Sequence, residues 1–170
     1  MWIFGYGSLV WRPAFAHLEA AVATVDGFER RFWQGSEDHR GVPGAPGRVV
    51  TLIESPDGQV VGRAYRVSGD VWAEVVATLD HREKGGYAQH EVDLMLIDGR
   101  RVPALVYLAT EENPNWLGPA PLEAMVAQIA RAVGPSGANA EYLERLDAWL
   151  REVGAEDAHV AELAAALRAL

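Results

Sequence analysis

In Phe4-Gly5-Tyr6-Gly7-Ser8-Leu9 two glycines flank a tyrosine at the end of an apolar opening run. Glycines so placed let successive backbone N–H groups turn toward one point, an arrangement that holds a carboxylate or an oxyanion. The run is not a dinucleotide fingerprint, because Val10 stands where a third Gly or Ala is required, nor a P-loop, because no Gly-Lys-Ser/Thr follows. The Gly-x-Ser-x-Gly elbow of esterases is also missing from it. Its plain alternative is a turn after an edge strand.

A second stretch, Asp80-His81-Arg82-Glu83-Lys84-Gly85-Gly86-Tyr87, sets a carboxylate beside two glycines. A ligand can approach such a carboxylate closely, and partial burial raises its pKa toward the range useful for proton transfer. Glu83 is therefore a candidate acid/base, against the plain reading of a charged helix end with glycine capping. Glu74, nine residues earlier, is its nearest rival. A third stretch runs from Arg31-Phe32-Trp33-Gln34-Gly35-Ser36 through Asp38-His39-Arg40-Gly41-Val42-Pro43-Gly44 to Arg48. Arg40 and Arg48 are candidate anion ligands there, since guanidinium binds carboxylates in bidentate fashion; the alternative is a structured loop with locally paired arginines. Asn113 to Leu122 reads as a packed loop before a helix. In Gly134-Pro135-Ser136-Gly137-Ala138-Asn139, Ser136 or Asn139 caps a helix, which places Tyr142 in its first turn with the hydroxyl able to reach a site. The histidines (17, 39, 81, 90, 159) form no His-x-x-x-His pair and cysteine is absent, so no metal site and no cofactor is expected.

The elements that must position these residues follow from periodicity. Apolar runs of period two predict strands over 2–6, 20–26, 49–54, 60–67, 87–97 and 101–109. Ser55-Pro56-Asp57-Gly58 and Asp98-Gly99 predict hairpin turns between them. Helical spacing predicts a helix over 70–81 capped by Asp70, then helices over 121–133, 139–153 and 156–170. A mixed α+β class follows, as one domain over residues 1–170, since 170 residues suffice for one substantial core. The net charge of −9 supplies no basic stripe for phosphates, so nucleic acid is not an expected partner. No apolar run approaches the ~18 residues of a membrane span, and the start of the chain reads as neither leader nor anchor. With no thiol to oxidise, a cytoplasmic location is expected.

Taken together, these stretches resemble the ChaC-like γ-glutamylcyclotransferase family, and within it the shorter subtype that acts on glutathione. The resemblance is carried by Trp2 to Leu9, Arg31 to Ser36, Asp38 to Gly44, Gly47 to Leu52, Arg82 to Tyr87, Leu117 to Leu122 and Gly134 to Gly137, in that order along the chain. It implies a γ-glutamylcyclotransferase-like fold, a mixed sheet closing toward a small barrel with packed helices and a helical C-terminal third. It further implies that Ile3, Phe4, Gly5, Tyr6, Gly7 and Ser8 form a substrate-binding loop and that Glu83 is the catalytic acid/base. Arg40, Arg48 and Tyr142 are further substrate-binding candidates. The implied substrate is glutathione, cleaved to 5-oxoproline and cysteinylglycine without cofactor. The alternatives are a cyclotransferase for other γ-glutamyl amino acids or amines, and a non-catalytic regulatory protein.

Overall fold

The computed structural model describes residues 1–82 and 86–170. Strands β1 (Trp2–Gly5), β2 (Glu19–Ser36), β3 (Gly47–Arg66), β4 (Ala88–Leu96) and β5 (Arg101–Leu108) close into a barrel in the order β1-β3-β2-β4-β5. Every pairing is antiparallel except that of β1 with β5, which is parallel where Trp2 and Ile3 meet Ala104 and Leu105. Alternate side chains of a strand face opposite ways, and β1 uses both faces. Trp2 and Phe4 enter the main core, whereas Ile3 joins a second cluster with Val67, Val75, Leu79 and Tyr107 under the first helix. A strand buried on both faces is a firm base for the loop that leaves it at Gly5.

Four helices, α1 (Trp72–Arg82), α2 (Leu122–Arg131), α3 (Asn139–Glu152) and α4 (Ala158–Arg168), complete the described chain together with a two-residue hairpin, β6 (Val133–Gly134) and β7 (Gly137–Ala138). Helix α3 buries Tyr142, Leu143, Leu146, Trp149 and Leu150, and α4 buries Val160, Leu163 and Ala164, spacings of three and four that put one apolar face of each on the barrel. No helix among the described residues is long and apolar enough to cross a membrane.

Three local readings change. Ser55 to Gly58 is not a hairpin turn, because both halves of β3 pair with the same strand, β2. The surplus residues bulge instead, with Glu54 opposite Phe28 and Gln59 opposite Asp26. Arg31 to Ser36 is the end of β2 rather than a loop. Asn139 is not the cap of α3, a position held by Ala138; its side chain accepts from the Arg48 N–H and donates to the Arg48 carbonyl, both at 2.7 Å, and so pairs with β3 as a strand would. Asp98-Gly99 does turn β4 into β5, with Gly99 at a φ of 88° that suits glycine.

Candidate active site

After Gly5 the chain passes through Gly7 into a single 3-10 turn, Ser8–Val10. Its carbonyls are fastened by side chains of the barrel. Arg30 Nε donates to the Tyr6 carbonyl at 2.9 Å, the Tyr65 hydroxyl to that of Leu9 at 2.6 Å, and Arg63 to that of Val10 at 3.0 Å. In a planar trans peptide the N–H points opposite to the carbonyl. Tying the Tyr6 carbonyl to Arg30 therefore turns the Gly7 N–H away from that arginine. Among the described residues no group accepts from the N–H of Gly7, Ser8 or Leu9.

These three residues line a cavity of about 110 Å³ whose floor is buried at Gly5, Tyr6 and Gly7. Neither Gly5 nor Gly7 has a positive φ. Packing requires them instead. A Cβ on Gly7 would stand 2.6 Å from Tyr142 Oη and 2.9 Å from Val50 Cγ2, and one on Gly5 would stand 2.5 Å from Leu9 Cβ.

Tyrosines and arginines wall this cavity. The Tyr6 hydroxyl donates to the Tyr107 carbonyl at 2.6 Å, and the Tyr107 hydroxyl to Asp80 at 2.7 Å, which joins the loop after β1 to β5 and α1. Tyr87 donates to the Val50 carbonyl at 3.0 Å, while Tyr142 Oη lies 3.4 Å from the Val50 N–H. Arg82 donates to Ser8 Oγ at 2.7 Å, and His39 stands between Ser136 Oγ, at 3.0 Å from Nδ1, and the Arg82 carbonyl, at 3.4 Å from Nε2. The Ser36 hydroxyl accepts from the N–H groups of His39 and Arg40 and so shapes the turn that brings both to the cavity. Among the described lining residues Arg12, Arg40 and Arg82 oppose one carboxylate, Asp38. In an acidic chain, a cavity of that sign with N–H donors on its floor selects an anionic ligand.

The model of the family described as ChaC-like protein matches residues 1–170. The chain belongs to the ChaC-like family. Glutathione-specific γ-glutamylcyclotransferase 1 of Homo sapiens is 47% identical to this ChaC-like chain over 169 residues, covering 96% of it and 76% of the human protein. γ-Glutamylcyclotransferase 2-3 of Arabidopsis thaliana is 39% identical over 176 residues, 99% of this chain and 88% of the plant protein. Among solved structures, a γ-glutamyl cyclotransferase specific to glutathione from yeast superposes with a TM-score of 0.92 at 30% identity, covering 99% of this chain and 96% of that one. The barrel is thus a γ-glutamylcyclotransferase fold.

The residues picked out from the sequence fall into three groups in this ChaC-like chain. Phe4, Gly5, Tyr6, Gly7, Ser8, Arg40 and Tyr142 line the cavity, and Ile3 sits beneath them in the second core. Arg40 is already engaged, donating to the Ala138 carbonyl and to Glu141 with its guanidinium over the Tyr142 ring. Arg48 does not line the cavity. Its guanidinium is buried, donating to Gln128 and to the carbonyls of Phe32 and Gly118, so that it joins β2, β3, α2 and the loop before α2. Burial lowers the pKa of this guanidinium. Glu83 lies with Lys84 and Gly85 outside the described residues, while Arg82 and Tyr87 on either side of it both line the cavity.

Sequence reasoning passed over Arg12, Ser36, Tyr87 and Tyr107 as lining residues. For Tyr107 a signal existed: a tyrosine near the end of an otherwise apolar strand puts a polar tip where the strand runs out. The described residues contain no group of three or more His, Cys, Asp or Glu able to hold a metal ion.

Proposed function

We propose that this chain is a glutathione-specific γ-glutamylcyclotransferase, with Glu83 as its general acid/base. The observation that carries the proposal is the cavity itself, with unpaired N–H groups on its floor and arginines on its wall. Glutathione brings two carboxylates and one ammonium to it. The loop from Gly5 to Ser8 holds the glutamyl end by its N–H groups, and the tyrosines around it, Tyr142 included, fix the walls against which that end is oriented.

The α-amino nitrogen of the glutamyl unit attacks its own γ-carbonyl carbon. A C–N bond of the five-membered lactam forms, and the C–N bond to the cysteine nitrogen breaks. No protein nucleophile is needed, because an intramolecular attack in a good geometry supplies an effective molarity that reaches ~10⁵ to 10⁸ M. Glu83 takes a proton from the α-ammonium before attack. The attacking nitrogen sheds a second as it becomes the lactam N–H, and the cysteine nitrogen gains both to leave as an ammonium, with Glu83 as the carrier, so the proton count closes within one turnover. Support for Glu83 is its place in the sequence, between two residues that line the cavity. A cytoplasmic location belongs to the same proposal and rests on a cysteine-free composition that needs no oxidising compartment. Nucleic acid and membrane have no role in it.

The test is to incubate the purified protein with glutathione, γ-glutamyl-alanine and a γ-glutamyl amine in parallel, following 5-oxoproline by mass spectrometry. Release of 5-oxoproline and cysteinylglycine from glutathione, well above release from the other two, is expected. Absence of 5-oxoproline from all three overturns the activity, and equal rates overturn the specificity.

A further inference from the structure

Three arginines line the cavity, and their guanidinium groups stand in different circumstances. That of Arg40 is committed to the Ala138 carbonyl, to Glu141 and to the face of Tyr142. That of Arg82 is committed to Ser8 Oγ and to the Arg12 carbonyl. Arg12 is exposed at the rim, and among the described residues its guanidinium has neither a hydrogen-bond acceptor nor a carboxylate partner. Its backbone, by contrast, is firmly placed: the Arg12 N–H donates to the Ser8 carbonyl at 2.9 Å, and the Arg12 carbonyl accepts from Arg82 at 3.4 Å. A held backbone that ends in an uncommitted cation is suited to capture an anion that arrives from solvent.

Burial along this one stretch gives the direction. Of the residues in this stretch that line the cavity, Gly5, Tyr6 and Gly7 are buried, Ser8, Leu9 and Trp11 half-buried and Arg12 exposed, while Val10 turns away into the core, so the lining climbs from the cavity floor to its rim within eight residues. A substrate whose glutamyl head lies on the N–H groups at the floor extends its tail the same way. The far end of that tail, in glutathione, is the glycine carboxylate.

We propose that Arg12 is a specificity-determining residue that binds the glycine carboxylate of glutathione at the cavity rim; this rests on the glutathione-cyclising reading above. Arg12 touches the leaving half of the substrate and not the reacting atoms. Its contribution therefore falls on KM for a substrate with a charged tail and not on the cyclisation step. An ion pair at an exposed rim corresponds to about 2- to 5-fold in kcat/KM.

The experiment compares glutathione with its C-terminal amide, which has nearly the same shape and lacks the tail charge, in wild type, R12Q and R12K. In wild type, glutathione is expected to exceed the amide by about 2- to 5-fold in kcat/KM. In R12Q that ratio falls toward one through a rise in KM for glutathione, and R12K retains part of it because a point charge replaces the fork. A thermal melt of each variant accompanies the kinetics; no melting change is expected, since the side chain makes no contact that holds the fold. A wild-type ratio of one overturns the proposal, and so does an R12Q ratio equal to that of wild type. Wild-type protein that cyclises neither compound removes the glutathione reading itself, which the other outcomes leave standing.

Discussion

Replacing Glu83 by Gln preserves the shape of the side chain and removes its capacity to take a proton from the α-ammonium. General acid–base assistance is worth at least ~10²-fold, so E83Q is expected to lose that much 5-oxoproline release while melting like wild type. A folded E83Q with near-normal turnover removes Glu83 from the role. Glu74 is exposed on α1 and does not line the cavity, so E74Q is expected to keep near-normal turnover in the same assay. Gly7 makes a different case at this scale. Its φ of −121° is not positive, and packing closes the space a side chain would need. An added carbon would lie 2.6 Å from the Tyr142 hydroxyl oxygen and 2.9 Å from Val50 Cγ2. Gly7→Ala is therefore expected to lower both the melting temperature and the activity, and Tyr142→Phe, by removing that oxygen, to restore part of the melting temperature in the double variant. Additive losses in the double variant would show that the hydroxyl is not the obstacle.

Among the elements, α4 and β2 are joined by a titratable group. His159 accepts from the Phe32 N–H at 3.0 Å, and burial first, then the charge of Arg31, lowers its pKa from 6.5 to about 4, with Arg30 and Arg48 acting in the same sense and Asp157 opposing. In the unfolded chain this imidazole binds a proton near 6.5, and in the folded chain only near 4. Its contribution to stability is thus complete above the unfolded value and is lost as pH falls from 6.5 toward about 4, an effect of at most about 3 kcal/mol for a half-buried ring. Urea titrations across that window should show H159Q, which offers Phe32 an oxygen that does not titrate, with a shallower acid loss than wild type. Equal slopes would assign the acid sensitivity elsewhere. The helices were the most legible elements, because α3 and α4 keep their apolar spacing over three turns. Strand ends were less so. Ser55-Pro56-Asp57-Gly58 has turn chemistry, but whether such a segment reverses or bulges depends on which strand its two flanks pair with, and that is a tertiary fact. In the site, the glycines of 5–7 mark from their own residues a loop that lines the cavity, whereas Arg48 reads as a ligand because a sequence does not reveal that three acceptors from distant segments already surround it.

For the molecule as a whole, the Ala-rich segment from Arg151 to Leu170 has an electrostatic part as well as a packing one. Arg30 is fully buried, donating to the Tyr6 carbonyl at 2.9 Å, to the Val61 carbonyl at 2.5 Å and to Asp157, just ahead of α4, at 2.7 Å. One cation thus ties the cavity-lining loop, β3 and the C-terminal helix together, although no residue of α4 lines the cavity. Burial lowers the pKa of this guanidinium and Asp157 opposes that shift, so the carboxylate is what keeps a charge tenable there. Asp157 also caps α4, accepting from the Val160 N–H at 3.1 Å. Asp157→Asn separates the two roles, because the amide oxygen can still cap while the countercharge is gone. Stranding a buried cation costs about 3–5 kcal/mol, far more than an exposed ion pair is worth. D157N is therefore expected to melt much lower than wild type and to lose activity from a position outside the cavity. Adding Arg30→Met removes the stranded charge, so R30M/D157N should regain part of the melting temperature. It should not regain the activity, because the Tyr6 carbonyl has then lost the donor that orients the Gly7 N–H. A double variant that recovers both would mean that the loop holds its shape without Arg30, and D157N with wild-type stability would mean that the buried charge is balanced by something other than Asp157.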